Sequence, residues 1–288
     1  MTLDPGPAGM RLTGLHLYPL KSAAAFSVSE AEVDEIGLVG DRRWMLIDEA
    51  GVALTQRQLP RLARIHAIPA SDDGLEVVAV GMPALRVTVP PDDAREVAAA
   101  VHKRAARGLA AGEEASRWFS EFLETACRLL YVPTPLAIPI AAPWGDGKGH
   151  TAFTDGFPIL LIGSGSLEEL NRRLDRPVPM DRFRPNLVVS GTEPFIEDEW
   201  EEVQIGSIGL RAVKPCPRCV VTTVDQATGV RDPAGEPLVT LAGFRRRDGK
   251  IWFGMNLVHE GCGTLHLGDE VRVISTRGRG TEEGNFMT

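Results

Sequence analysis

The chain has 288 residues, 39 of them acidic and 31 basic, for a formal net charge of −8, and 43% are hydrophobic. This is the balance of a soluble globular protein, and it excludes a general nucleic-acid binder, which needs a basic domain. Four cysteines are too few for a disulfide scaffold, and no apolar run reaches the ~18 residues of a membrane-spanning helix.

In chain order, MTLDPGPAGM lacks the apolar core of an export signal, so a cytoplasmic setting with reduced thiols is expected. RLTGLHLYPL reads as a strand, and short strands broken by Gly37, Gly40 and Gly51 follow as far as RRWMLID. LEVVAVG and LRVTVP predict two more strands. AREVAAAVHKR and EEASRWFSEFLETAC both carry helical spacing, the second with Trp118, Phe122 and Leu123 on one face, and RLLYV returns to strand. The Pro- and Gly-rich stretch 133–150 reads as a domain boundary or a long surface loop.

Beyond it, FPILLIGS predicts a strand and SLEELNRRL a helix, with Ser166 as N-cap and Glu169 completing a capping box. NLVVSG, WEEVQIGSIGLRAVK, CVVTTVD and DEVRVIS are expected strands, so the second half reads as a β-barrel or sandwich. The tail from Thr276 is polar and Gly-rich, and reads as disordered. Arginines cluster at 57, 61 and 64, at 172, 173 and 176, at 182 and 184, and at 245–247. Each cluster suits either a solvated face or a pocket for an anion.

The pair Cys216 and Cys219 in KPCPRCVVTTVD leaves several readings open. With His259 and Cys262 it would make a four-ligand zinc site. A redox dithiol would need a helix after the motif, and CVVTTVD predicts a strand instead. Two inert buried thiols, or one working thiolate beside a bystander, complete the set, and Arg218 or Lys214 would help to hold such a thiolate. Asp225 suits a turn better than a pocket acid.

The stretches LYPLKS (17–22), GDRRWMLID (40–48), TQRQLPRLARI (55–65), FTDGFPILLI (153–162), SLEELN (166–171), FRPNLVVSG (183–191) and FGMNLVHEGCGTLHLGDEV (253–271), with the cysteine, together resemble the MOSC superfamily. The form resembled is the two-domain one shared by amidoxime-reducing components and their bacterial relatives. The resemblance implies an α+β, predominantly β fold: a MOSC N-terminal β-barrel-like domain over 11–132, a linker or loop over 133–150, and a MOSC β-barrel domain over 151–275. It implies a molybdenum cofactor ligated by Cys219, with Lys21, Ser22, Arg42, Arg184 and Asn186 holding it, and Asp155 and Ser166 as further pocket positions. Those residue types suit such a ligand. Arginine offers phosphate a planar fork, lysine a point charge, and asparagine both donor and acceptor for a pterin edge.

The implied activity is two-electron reduction of N-hydroxylated or other N-oxygenated small molecules. Electrons would come from a separate donor of ferredoxin, flavoprotein or cytochrome b5 type, because Cys127 and Cys262 alone cannot build a cluster. The alternative within the superfamily is a cofactor or persulfide carrier without reductase activity. This chain departs from many relatives after Lys21-Ser22, where Ala23-Ala24-Ala25-Phe26 replaces a basic residue and a glycine.

Overall fold

The computed structural model describes residues 9–70, 74–145 and 149–277. The first eight residues, and the tail from 278 on, lie outside the described residues. The strands of the second half form one large sheet that borrows from the first. Its order is Phe26–Ser27, Arg11–Leu17, Leu187–Ser190, Ile159–Gly163, Lys250–Glu260, Ile208–Arg218, Trp200–Ile205 and Val271–Thr276. An antiparallel bridge between Arg11 and Glu270, and the bond from Val271 N to Met10 O, bring the last strand back beside the first and close the sheet into a barrel. Inward positions alternate along the strands and fill the interior with Leu12, Leu15, Leu187, Val189, Leu161, Met255, Leu257, Leu210 and Val203. Leu187–Ser190 and Ile159–Gly163 pair in parallel, and the helix Ser164–Asn171 begins the crossover that a parallel pair needs.

Gly14 marks a close approach of backbones. The ladder shifts register between Leu12 and Gly14, and a Cβ at Gly14 would lie 2.9 Å from the Val188 side chain.

The rest of the first half packs beside this barrel. Trp44–Ile47, Arg128–Tyr131, Arg104–Ala110 and Glu96–Val101 form an antiparallel sheet, and His66–Pro69, Leu75–Val78 and Leu85–Val87 a smaller one. The helix Glu113–Leu123 buries Trp118, Phe119 and Phe122 in the core between them. The Pro/Gly stretch contributes a one-turn helix, Thr134–Leu136, and Ile138–Pro139, which pairs with His150–Thr151. Residues 146–148 lie outside the described residues. Among the described residues no helix is long and apolar enough to cross a membrane.

Three local expectations are corrected. The segment AREVAAAVHKR is not helical: Glu96–Val101 and Arg104–Ala110 are hairpin strands, joined by His102 and Lys103 at φ 50° and 69°. Two successive left-handed residues suit a tight hairpin, and cross-strand pairing overrides the helix preference of the alanines. CVVTTVD is not a strand: the ladder ends at Arg218 and Val220–Thr223 is a 3₁₀ turn. The hydroxyls of Thr222 and Thr223 donate back to the carbonyls of Cys219 and Val220, at 3.0 and 2.8 Å, which favours the turn. Nor does Ser166 cap its helix, which starts at Ser164, and Glu169 pairs with Arg172 and Arg173 instead of closing a capping box.

Candidate functional site

A cleft of about 160 Å³, open to solvent, lies where the two halves meet. Three of its lining residues hold left-handed backbone without being glycine: Ser22 (φ 68°), Arg42 (φ 48°) and Arg184 (φ 57°). Each such residue costs of order 1 kcal/mol or more and persists only where its surroundings impose it, so three in one cleft mark a site.

The surroundings are identifiable. Leu20 is fully buried and Lys21 N donates to Trp44 O, which fixes the chain before Ser22 turns. Arg42 N donates to Tyr18 O just after the Gly40-Asp41 turn. Arg184 ends the 3₁₀ turn Met180–Phe183, held in place by buried Phe183, whose ring meets Phe253 at 4.3 Å, while Pro185 prevents the helix from continuing.

The Arg42 and Arg184 guanidinium groups both stack on the Tyr18 ring, at 4.4 and 4.2 Å from its centroid. Burial pushes the Tyr18 phenol up to about 12, against the pull of those two cations, so it stays neutral and donates to Pro185 O. Burial also pulls the Arg184 guanidinium down to about 10, and the nearby Arg42 charge adds to this. Arg184 Nη1 donates to Ala23 O at 2.7 Å and to Gln226 at 3.3 Å.

Asn186 is buried, and its amide is committed to protein. Its Oδ1 accepts from Arg42 and from Leu160 N, and its Nδ2 donates to His16 O and Asp41. It therefore aims Arg42 into the cleft.

Lys21 is buried and donates to Phe153 O at 2.8 Å and to Asp155 at 2.5 Å. Burial lowers its ammonium pKa, more than Asp155 restores it. Asp155 also meets Arg57 at 3.2 Å and His102 at 3.4 Å. Burial alone would raise this carboxyl, but Lys21 and His102 outweigh it and hold it well below the usual carboxylate range.

Both cysteines reach the cleft. Pro215 and Pro217 interrupt the ladder of Ile208–Arg218, which shifts register between Ala212 and Lys214 and again between the prolines, and these irregularities turn the chain end toward the cavity. Cys219 lies beside the Arg57 guanidinium, and the two attract. Cys216 is pushed up by burial, and so is a neutral thiol beside it. Arg218, expected to face the thiolate, instead donates to Phe253 O and Phe183 O, both at 2.8 Å. Arg182 donates to Thr223 O and Asp225, whose other oxygen closes the turn onto Ala227 N and Thr228 N.

Lys21, Ser22, Arg42, Asp155, Arg184, Asn186 and Cys219 thus come together in one cleft. Ser166 does not join them: its hydroxyl is buried against Glu197, at 2.7 and 2.8 Å from the two carboxylate oxygens. Sequence reasoning gives no site role to Arg57 and Arg182, and to Arg218 a role beside the thiolate that the structure does not show. The clustering of arginines at 57–64 and 182–184 is the one signal pointing to the first two.

The zinc arrangement fails on distance. His259 pairs with Leu210, six residues along the strand from Cys216, or about 20 Å at ~3.3 Å per residue. Among the described residues no three potential ligands converge on one point.

Two buried guanidinium nitrogens of the lining, Arg182 Nε and Arg218 Nη2, have no hydrogen-bond partner in the protein. The same holds of Arg43 Nε and of Arg104 Nε and Nη1, which lie outside the lining, so these donors do not by themselves mark a ligand. With the soft Cys219 thiol on its wall and Lys21, Arg42, Arg57 and Arg184 around it, the cleft suits an anionic, phosphate-bearing ligand carrying a thiophilic metal.

Residues 9–126 match the model of the MOSC N-terminal beta barrel domain, and residues 148–272 that of the MOSC domain. The mouse mitochondrial amidoxime-reducing component 1 is 38% identical over 278 residues, covering 90% of this chain and 81% of that one. The rat mitochondrial amidoxime reducing component 2 is 36% identical over 274 residues, covering 88% and 80%. The human component 1 is 34% identical over 281 residues, covering 90% and 82%.

Proposed function

We infer the activity of the cleft from kinship and geometry together: the chain belongs to the amidoxime-reducing components of the MOSC superfamily, and it is a molybdenum-cofactor-dependent reductase. Its proposed substrates are N-hydroxylated and other N-oxygenated small molecules. The observation that carries this reading is the convergence of Cys219 with Lys21, Arg42 and Arg184 on one cleft, with Arg42 and Arg184 held in left-handed backbone.

When bound, the molybdenum cofactor supplies two-electron redox chemistry at a metal that Cys219 would ligate. The chain's own residues do the rest. Lys21 has spent two of its three N–H donors on Phe153 and Asp155 and offers the third to a phosphate, alongside Arg42 and Arg184. Stacking on Tyr18 fixes the planes of both guanidinium groups before the ligand arrives, so little side-chain entropy is lost on binding. Arg57 pairs with Asp155 and lies beside Cys219, which places a cation next to the sulfur. Cys216 remains a bystander thiol.

Electrons would come from a separate redox protein of ferredoxin, flavoprotein or cytochrome b5 type. All four cysteines are free, which suits the reducing, cytoplasm-like compartment we propose for it.

Replacing Cys219 with alanine tests the reading. We expect molybdenum content and reduction of an aromatic amidoxime to fall by more than the ~10–100-fold that losing an outer-sphere partner costs, with an unchanged circular dichroism spectrum. Substantial turnover in the variant would remove Cys219 from the mechanism.

A further inference from the structure

Net charge and local charge disagree around the cleft. The chain carries −8 overall, yet the rim beside Cys219 is basic. Arg57 lies beside Cys219, pairs with Asp155 and is partly open to solvent. Arg64 follows on the turn Pro60–Arg64, and the 225–231 turn packs on that turn, since a Cβ at Gly229 would meet Arg64 at 3.2 Å. The same turn leads to Arg231, whose guanidinium donates to Arg57 O.

On the other side, Arg218, Ile251 and Arg246 are neighbouring rungs of three adjacent strands, so the hairpin bearing Arg246 and Lys250 projects at the Cys219 end of the sheet. The opposite end of the same ladder carries exposed Glu202 and Glu260 with Arg211 beside them, which pairs with Glu260 at 3.9 Å. Of the acids near the rim, Glu124 pairs with Arg61 and Asp225 with Arg182, while Asp232, Glu236 and Asp248 keep their charge, fewer than Arg57, Arg64, Arg231, Arg246 and Lys250. Two large apolar side chains also stand exposed here, Val230 at 62% beside Arg231 and Val239 at 59% on the helix Leu238–Phe244.

We propose that this rim is the docking face for an acidic electron-carrier protein. The inference rests on the reductase reading. A basic ring around exposed apolar side chains has the anatomy of a transient interface, and opposite charge on the partner steers encounter. The cations of the rim would draw an acidic carrier toward the cleft. A carrier docked here reaches the metal ligand through one side chain, Arg57.

The test uses full-length protein and an acidic plant-type [2Fe–2S] ferredoxin as probe. Binding is measured by calorimetry at about 10 mM and about 1 M salt, where the screening length falls from ~30 to ~3 Å. The variants are the triple change Arg64→Glu, Arg246→Glu and Lys250→Glu, and, as control, Glu201→Lys with Glu202→Lys at the opposite end. None of these residues is assigned to the cofactor.

We expect the triple variant to bind ferredoxin at least tenfold more weakly at low salt. The control should bind like the unaltered protein, and high salt should erase the difference. Lys250→Glu alone should give a smaller loss of the same sign. Equal binding by the triple variant, or no binding by the unaltered protein at low salt, would overturn the proposal. Amidoxime reduction driven by a small reduced viologen bypasses docking and should be unchanged in the triple variant. If the unaltered protein gives no viologen-driven turnover, the reductase reading itself fails, and electron delivery at this rim with it.

Discussion

Two polar clusters flank the parallel strands Ile159–Gly163 and Leu187–Ser190, and they are built in opposite ways. In one, fully buried Glu197 accepts from Ser166 and from Gly163 N, and Ser166 in turn accepts from Phe195 N. Even its left-handed residue, Phe195, turns its N–H onto that serine oxygen. In the other, Ser22, Arg42 and Arg184 hold strained backbone, the Arg184 charge is disfavoured by burial, and Lys21, Arg42, Arg57 and Arg184 line one open cleft. A cluster that satisfies itself stabilises the fold. A cluster left open and strained is waiting for a ligand.

The sharpest way to break this comparison is Arg184→Met. Methionine removes a charge that burial disfavours, so the cofactor-free protein should melt no lower than the unaltered one. Molybdenum retained after gel filtration should fall at least about tenfold, because a charge-assisted phosphate contact of ~1.5–3 kcal/mol is lost. A variant that melts much lower and keeps its metal would make Arg184 a structural residue. The reverse pattern is expected of Glu197→Ala. Stranding the Ser166 hydroxyl and Gly163 N–H should cost about 2–3 kcal/mol of stability, or several degrees of melting temperature, with molybdenum content unchanged. Loss of metal there would tie Ser166 to the cleft after all.

How much of this is legible in the sequence depends on the range of the forces involved. The strand-rich second half, the amphipathic helix bearing Trp118 and Phe122, and the Asp225 turn follow from local pattern, and the structure has them. The hairpin at Glu96–Ala110 reads wrongly as helix because alanine runs favour helix, and only partner strands decide otherwise. Closure of the barrel by Arg11–Leu17 is a contact more than 250 residues long in sequence, beyond any local signal. At the site, motif resemblance points to residues that the fold does gather, from Lys21 to Cys219. It misses Arg57, because a thiol's nearest cation is a matter of tertiary packing, and it includes Ser166, because a serine that opens a helix looks alike whether it caps, binds or braces.

The smallest effect separates the clusters by the sign of their pH dependence. Burial raises the Glu197 carboxyl above its ordinary value, more than the Ser166 bond lowers it. The folded state therefore holds that proton more tightly than the unfolded chain, and stability falls as pH rises from the unfolded value, near 4.3, through the raised folded one. Asp155 runs the other way. Its folded pKa is depressed, so its contribution is complete above the unfolded value, near 3.9, and is lost as pH falls toward the folded one. Urea midpoints measured from about pH 3 to 8 should therefore change differently in two variants. Glu197→Gln should remove a decline on the neutral side, with a slope of at most about 1.4 kcal/mol per pH unit. Asp155→Asn should flatten a rise confined to the acid side, and a weaker one, because this carboxylate is half open to solvent. Profiles that shift in the same direction in both variants would mean that the two carboxylates share one environment, and the contrast between a closed cluster and an open one would fail.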